Sequence, residues 1–213
     1  MNWFTQTIGS SIGKKLMMAL TGFCFIGFLT VHLAGNLTVY GGADAFNSYS
    51  EHLHALGPLV TLAEWGLLTL ALIHVLTGTT LFYQNVMARP VRYKISKRAG
   101  GRTIGSATMP YTGFLVLAFA IFHLINFHFV DKTDTTTFQI VSHAFGNPIY
   151  IGIYITAMIV VAIHVSHGFW SAFQTLGANH PKYTPFIMGF GIAASVIFGI
   201  GFGFLPLYIS FIA

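Results

Sequence analysis

The sequence predicts an all-α membrane protein: a single domain over residues 1–213 with five transmembrane helices and a cytoplasmic N-terminus. Three observations carry this. Of the 213 residues, 54% are hydrophobic and 7% charged. A soluble domain carries roughly 25% charged residues, so this chain has too little charge to cover a water-facing surface. Apolar stretches of the length needed to cross ~30 Å of hydrocarbon, about 20 residues, occur at 16–40, 60–87, 109–130, 148–176 and 185–212. Charge is also sorted by connection. Lys14, Lys15, Arg89, Arg92, Lys94, Lys97, Arg98, Arg102 and Lys182 fall in the N-terminal segment and the second and fourth connections. Asp44, Glu51, Glu64, Asp131 and Asp134 lie in or beside the first and third, where Lys132 is the sole cation. The positive-inside rule then puts the N-terminus in the cytoplasm and the C-terminus outside.

The elements follow in order. "MNWFTQTIGSSIGKK" reads as an amphipathic preface with a basic end, and the apolar run behind it is too long for a signal-peptide core. Cys24 is the only cysteine, which excludes a disulfide framework and a thiolate metal site. Pro58, Pro110, Pro148 and Pro185 stand at or near span starts, where the first N–H groups are unpaired anyway. Segment 44–56, "DAFNSYSEHLHAL", reads as a short surface helix with Asp44 as N-cap. Phe46, Tyr49, Leu53 and Leu56 form its apolar stripe, and Asn47, Glu51 and His54 its opposite, polar face. The run 89–102 marks the cytoplasmic side; basic residues gathered at membrane edges give no indication of nucleic-acid binding. The last span has no histidine and is rich in Gly and Ala, suited to close packing as a scaffold. Trp65 and Trp170, near span ends, fit interface anchoring.

Four of the ten histidines lie inside spans, one on each of the first four: His32, His74, His123 and His164. Each is costly in lipid unless bound. Helices 1 and 3 run outward and helices 2 and 4 inward. At ~1.5 Å per residue, His32 and His123 lie about 13 and 10 Å below the outer surface, His74 and His164 about 21 and 24 Å. The histidines therefore form two layers, about 10 Å apart by the same rise. Two imidazoles facing each other at each of two levels is what two bis-histidine haems require, with the macrocycles in the bundle core. A di-metal site would need carboxylates, and none lies at those depths. Gly78 and Gly168 each follow a histidine by four residues and Gly35 follows His32 by three; they offer a macrocycle room near the backbone, or serve as helix-packing positions. "HVLTG" (74–78) and "HVSHG" (164–168) read as one solution used twice. His167 is a second candidate on helix 4, as ligand or as partner of a haem propionate.

The chain resembles the cytochrome b membrane anchor of succinate dehydrogenases and fumarate reductases, in its five-helix form with two haems b. The resemblance covers nearly the whole chain: "SSIGKKLMMALTG", "HLAGN", "GADAFNSYSEHL", "AIHVSHGFWS", and four histidines at intervals of 42, 49 and 41 residues. It implies that His32 and His123 ligate a distal haem b and His74 and His164 a proximal one, the pairing that depth also gives. It further implies a flavoprotein subunit and an iron–sulfur subunit on the cytoplasmic side, electron passage to or from a membrane quinone, often menaquinone, and a place in a bacterial inner membrane, with room for a higher oligomer of the complex.

The quinone end is expected at segment 44–56, where Glu51 or His54 would take the protons that quinol oxidation releases. His54 stands where the resemblance implies an acidic residue, with Glu51 one turn earlier. Asn126 and His128 are further candidates. Where some fumarate reductases of this type have an acid two residues before the fourth histidine, this chain has Ala162. Lys14, Lys15, Ser11 and Arg89 are candidates for the inner propionates. Two other readings stay open at this level: a haem-b anchor of a hydrogenase or formate dehydrogenase, and a haem-free transporter using the histidines as a relay.

Overall fold

The computed structural model describes residues 2–88 and 103–212; the basic run expected to mark the cytoplasmic side, including Arg89 and Arg102, lies outside them. Among the described residues the only regular structure is helical, joined by short connections and without strands. The elements are α1 (Trp3–Gly9), α2 (Ser11–Asn36) running into a 3-10 turn (Leu37–Gly41), α3 (Ala43–Ala55), α4 (Pro58–Met87), α5 (Ile104–His123) running into a π turn (Leu124–His128), α6 (Thr137–Phe145), α7 (Pro148–Thr175) and α8 (Thr184–Ile212). Five of these stretches, with α2, α4, α5, α7 and α8, are long and apolar enough to span a membrane. Their outer surface fits that solvent. Leu62, Leu76 and Phe186 are 69%, 64% and 74% exposed, and α4 buries only Thr77; continuous apolar exposure of this kind suits hydrocarbon and not water.

Two helices begin about a turn before their hydrophobic runs. Ser10 caps α2 by accepting from the Gly13 N–H at 3.0 Å, so Lys14 and Lys15 are already helical. Thr103 caps α5 by accepting from the Ser106 N–H at 3.1 Å. Pro110 therefore lies inside α5 and not at its start, and forgoes one backbone hydrogen bond there. Pro58 and Pro148 do open α4 and α7. Asp44 is not the cap of α3: Gly42, at φ 92°, holds that position with no side-chain cap. Asp44 sits in the first turn, where its charge still favours the helix dipole.

The short helices α3 and α6 gather at one end of the bundle. Asn47 Oδ1 accepts the Phe138 N–H at 2.9 Å and the Ser50 and Thr137 hydroxyls lie 2.7 Å apart, so the side of α3 bearing Asn47 docks α6. Phe46 is buried and Tyr49 half-buried, while Leu53 and Leu56 stay exposed; only half of the expected stripe packs inward. In the loop before α6, Asp131 accepts from the backbone and hydroxyl of Thr133 at 3.0 and 2.6 Å, which holds its carboxyl below the usual carboxylate range. One core cluster at this end joins Val39, Phe46, Phe145, Tyr154, Leu205 and Ile209. A second lies deeper, with Leu33, Met158, Val161, Val165 and Phe198. Helix α8 closes on it through glycines: a Cβ on Gly201 would stand 2.9 Å from Leu33 and one on Gly199 3.1 Å from Ala162.

Gly35 faces the ring of Tyr49, with no space for a Cβ. We expect Gly35→Ala to lower stability by about 1–3 kcal/mol, seen as a lower thermal midpoint in detergent. Adding Tyr49→Ala to that variant should recover part of the loss; a neutral Gly35→Ala would show that the two residues do not touch.

Candidate functional site

The four span histidines sit at two levels. At the level nearer α3 and α6, the His32 and His123 rings meet edge-on, with centroids 5.9 Å apart and planes at 88°. Two imidazoles bound to one metal through nitrogen bonds of about 2 Å would have centroids about 6 Å apart, so the spacing matches a shared axial pair. His32 stacks on Phe28 at 5.2 Å and 15°, and His123 lies against Phe119 at 5.9 Å. The Tyr154 hydroxyl is 3.3 Å from His123 Nδ1.

At the second level, Thr21 Oγ1 is 2.8 Å from His74 Nδ1 and Thr112 Oγ1 is 3.2 Å from His164 Nδ1. Both rings lie over bare backbone: a Cβ on Gly22 would stand 3.7 Å from His74 Cε1, and one on Gly113 3.4 Å from His164 Cε1. Thr21 is eleven residues before His32 and Thr112 eleven before His123, about 16 Å of helix. Side chains lean toward their helix N-terminus, so His32 and His123 tilt toward the second level and the rings are closer than that figure.

Three of the four rings therefore have Nδ1 against a hydroxyl. Among the described residues Nε2 of all four makes no hydrogen bond, and all four rings are half-buried. An Nδ1 held by a hydrogen bond with Nε2 open is the usual disposition of a metal-bound histidine. No three His, Cys, Asp or Glu side chains converge among the described residues. A bare ion with three or more protein ligands is therefore not built there, whereas two-ligand axial sites suit the donor set of a haem b.

The remaining candidates fall elsewhere. Gly35 faces Tyr49, Gly78 faces Met18 (3.3 Å to Cε from a Cβ placed there) and Gly168 faces Met109 (3.4 Å); the glycines against the rings of His74 and His164 are Gly22 and Gly113. His167 lies beside the start of α5, 3.4 Å from Thr103 Oγ1 and edge-on to Trp170. Lys14 donates to Gln84 at 3.2 Å, while Ser11 and Lys15 are exposed. Glu51 and His54 are both exposed on α3, with His54 Nδ1 bonded to the Ser50 carbonyl at 2.7 Å. Asn126 turns back to the Phe122 carbonyl at 2.7 Å. His128 Nδ1 is 3.8 Å from Glu64, a contact that joins the π turn to α4. Thr21 and Thr112 were not legible as site residues one at a time, because a threonine hydroxyl in a span usually bonds its own helix, and no sequence signal marked Tyr154. The signal that marks the threonines is register: a Thr-Gly pair precedes His32 and His123 at the same distance. Compared with protein families, curated proteins and solved structures, the chain gives no match.

Tyr154→Phe removes the hydroxyl on His123 and should cost about 0.5–1.5 kcal/mol. Thermal unfolding of the detergent-solubilised chain measures this; an unchanged midpoint would mean that the hydroxyl does not bond the ring.

Proposed function

We propose that the chain is a di-haem b membrane anchor that passes electrons between a membrane quinone and the iron–sulfur subunit of a succinate:quinone or quinol:fumarate oxidoreductase. The observation that carries the reading is the histidine constellation: two levels, ligands drawn from four helices, and open Nε2 atoms. His32 and His123 would hold one haem b, His74 and His164 the other. Bound there, the haems supply one-electron redox chemistry across the apolar belt.

The protein's own part is to hold and insulate. Thr21, Thr112 and Tyr154 orient three of the ligands. Phe28 and Phe119 flank the outer pair and exclude water, and α8 seals the bundle side formed by α2 and α7. The proximal haem would lie nearer the cytoplasmic flavoprotein and iron–sulfur subunits, where the dicarboxylate chemistry belongs. At the opposite end, Glu51 and His54 would accept the two protons that a quinol such as menaquinol loses. Their exposure on α3, at the end of the bundle nearer the outer histidine level, supports this. The succinate and fumarate assignment, the partner subunits and the bacterial inner membrane rest on the sequence resemblance.

A dithionite-reduced spectrum of the purified chain should show two haems b. His74→Ala and His164→Ala should each leave one, and His32→Ala and His123→Ala should each leave the other. A chain with no Soret band is a histidine-relay protein instead. Co-purification of flavoprotein and iron–sulfur subunits with dicarboxylate activity tests the complex. Replacing Glu51 and His54 together by Gln should slow quinol turnover at least about 100-fold with both haems retained; unchanged turnover would move proton acceptance elsewhere, Glu64 and His128 being next.

A further inference from the structure

The two histidine levels are built by a repeat. Met18, Thr21, Gly22, Phe28 and His32 on α2 recur as Met109, Thr112, Gly113, Phe119 and His123 on α5, each ninety-one residues later. Pro58, His74, Val75, Gly78 and Gln84 on α4 recur as Pro148, His164, Val165, Gly168 and Gln174 on α7, ninety residues later. The element order repeats too: span, surface helix and a span opening on proline, as α2–α3–α4 and α5–α6–α7.

Contacts recur with the letters. Thr21 meets His74 as Thr112 meets His164, Gly22 and Gly113 lie under the same rings, and Met18 and Met109 fill the space beside Gly78 and Gly168. The two halves are therefore one unit used twice. Each histidine level draws one ligand from each half, at equivalent positions.

The threonines fix which ring nitrogen carries the proton. A hydroxyl has one proton and two lone pairs. Thr21 Oγ1 lies 2.7 Å from the Met17 carbonyl, and Thr112 Oγ1 lies 3.1 and 3.2 Å from those of Met109 and Thr108. Carbonyls only accept, so a hydroxyl proton given to its own helix leaves a lone pair facing the imidazole. Nδ1 must then be the donor. A neutral ring protonated on Nδ1 has its Nε2 lone pair free. The geometry points to Thr21 and Thr112 as positioning residues that lock His74 and His164 in the Nδ1–H tautomer and so present both Nε2 atoms to one metal centre.

The outer level lacks this symmetry. His123 has Tyr154, but the equivalent position on α4 is Glu64, which turns to His128 instead. The matched hydroxyl pair belongs to the inner level alone.

The tautomer assignment stands on the fold, and only its use for haem rests on the proposed function. The full chain, ¹⁵N-labelled on histidine and freed of haem, is examined by NMR in detergent. His74 and His164 should show a protonated Nδ1 and a pyridine-like Nε2. Thr21→Val should abolish that preference at His74 only, Thr112→Val at His164 only, and the serine variants should keep it. In the haem-loaded chain either valine variant should weaken retention of the inner haem about 10–100-fold and shift its midpoint potential while leaving the outer one in place. An Nε2–H tautomer at His74 and His164 in the unmodified chain overturns the inference, as does a folded Thr21→Val chain whose His74 signals are unchanged. If the tautomers are as stated and no haem binds, the positioning role holds and the di-haem reading falls.

Discussion

A ring nitrogen in a hydrocarbon belt has no water to turn to, and four such rings organise this bundle. Each lone pair or N–H left unmet there costs several kcal/mol. The chain meets this demand at three Nδ1 atoms from neighbouring helices: Thr21 on α2 for His74 on α4, Thr112 on α5 for His164 on α7, Tyr154 on α7 for His123 on α5. Each bond needs a side chain of a different helix at a fixed height. These contacts tie α2 to α4 and α5 to α7 at fixed heights, beside the close packing of α8 on the deeper core. The sparse burial of α4 accords with a helix that faces hydrocarbon on most sides.

Much of the fold was legible because the bilayer imposes a length on every span. The ends of α4, α7 and α8 fall within about two residues of where hydropathy puts them. The starts of α2 and α5 do not, because hydropathy reports where hydrocarbon begins while Ser10 and Thr103 decide where helix begins. Asp44 misled for a related reason: a capping residue type was present, but Gly42, free to take a positive φ, sits two residues earlier. The helices α1 and α6, of seven and nine residues, are too short to stand out without their packing partners.

The candidate site was legible in its histidines and not in what surrounds them. One histidine on each of the first four spans makes a pattern that a lone histidine does not, whereas Thr21 and Thr112 are of a kind that spans tolerate freely. Glycines gave a mixed reading. Those following His74 and His164 by four residues turned out to face methionines, and those against the rings lie on the neighbouring helices. Spacing along one helix tells which residues share a face, but what that face meets depends on crossings that no single helix encodes.

The edge-on meeting of His32 and His123 has a consequence for biosynthesis. The rings touch, yet ninety-one residues separate them. At about 5–20 residues per second, a ribosome needs about 5–20 s to travel from one to the other. Until the third span emerges, the His32 imidazole has no counterpart. The outer histidine level therefore has an assembly clock: it stays incomplete until that span arrives, and the nascent first half must be sheltered or tolerated in the meantime.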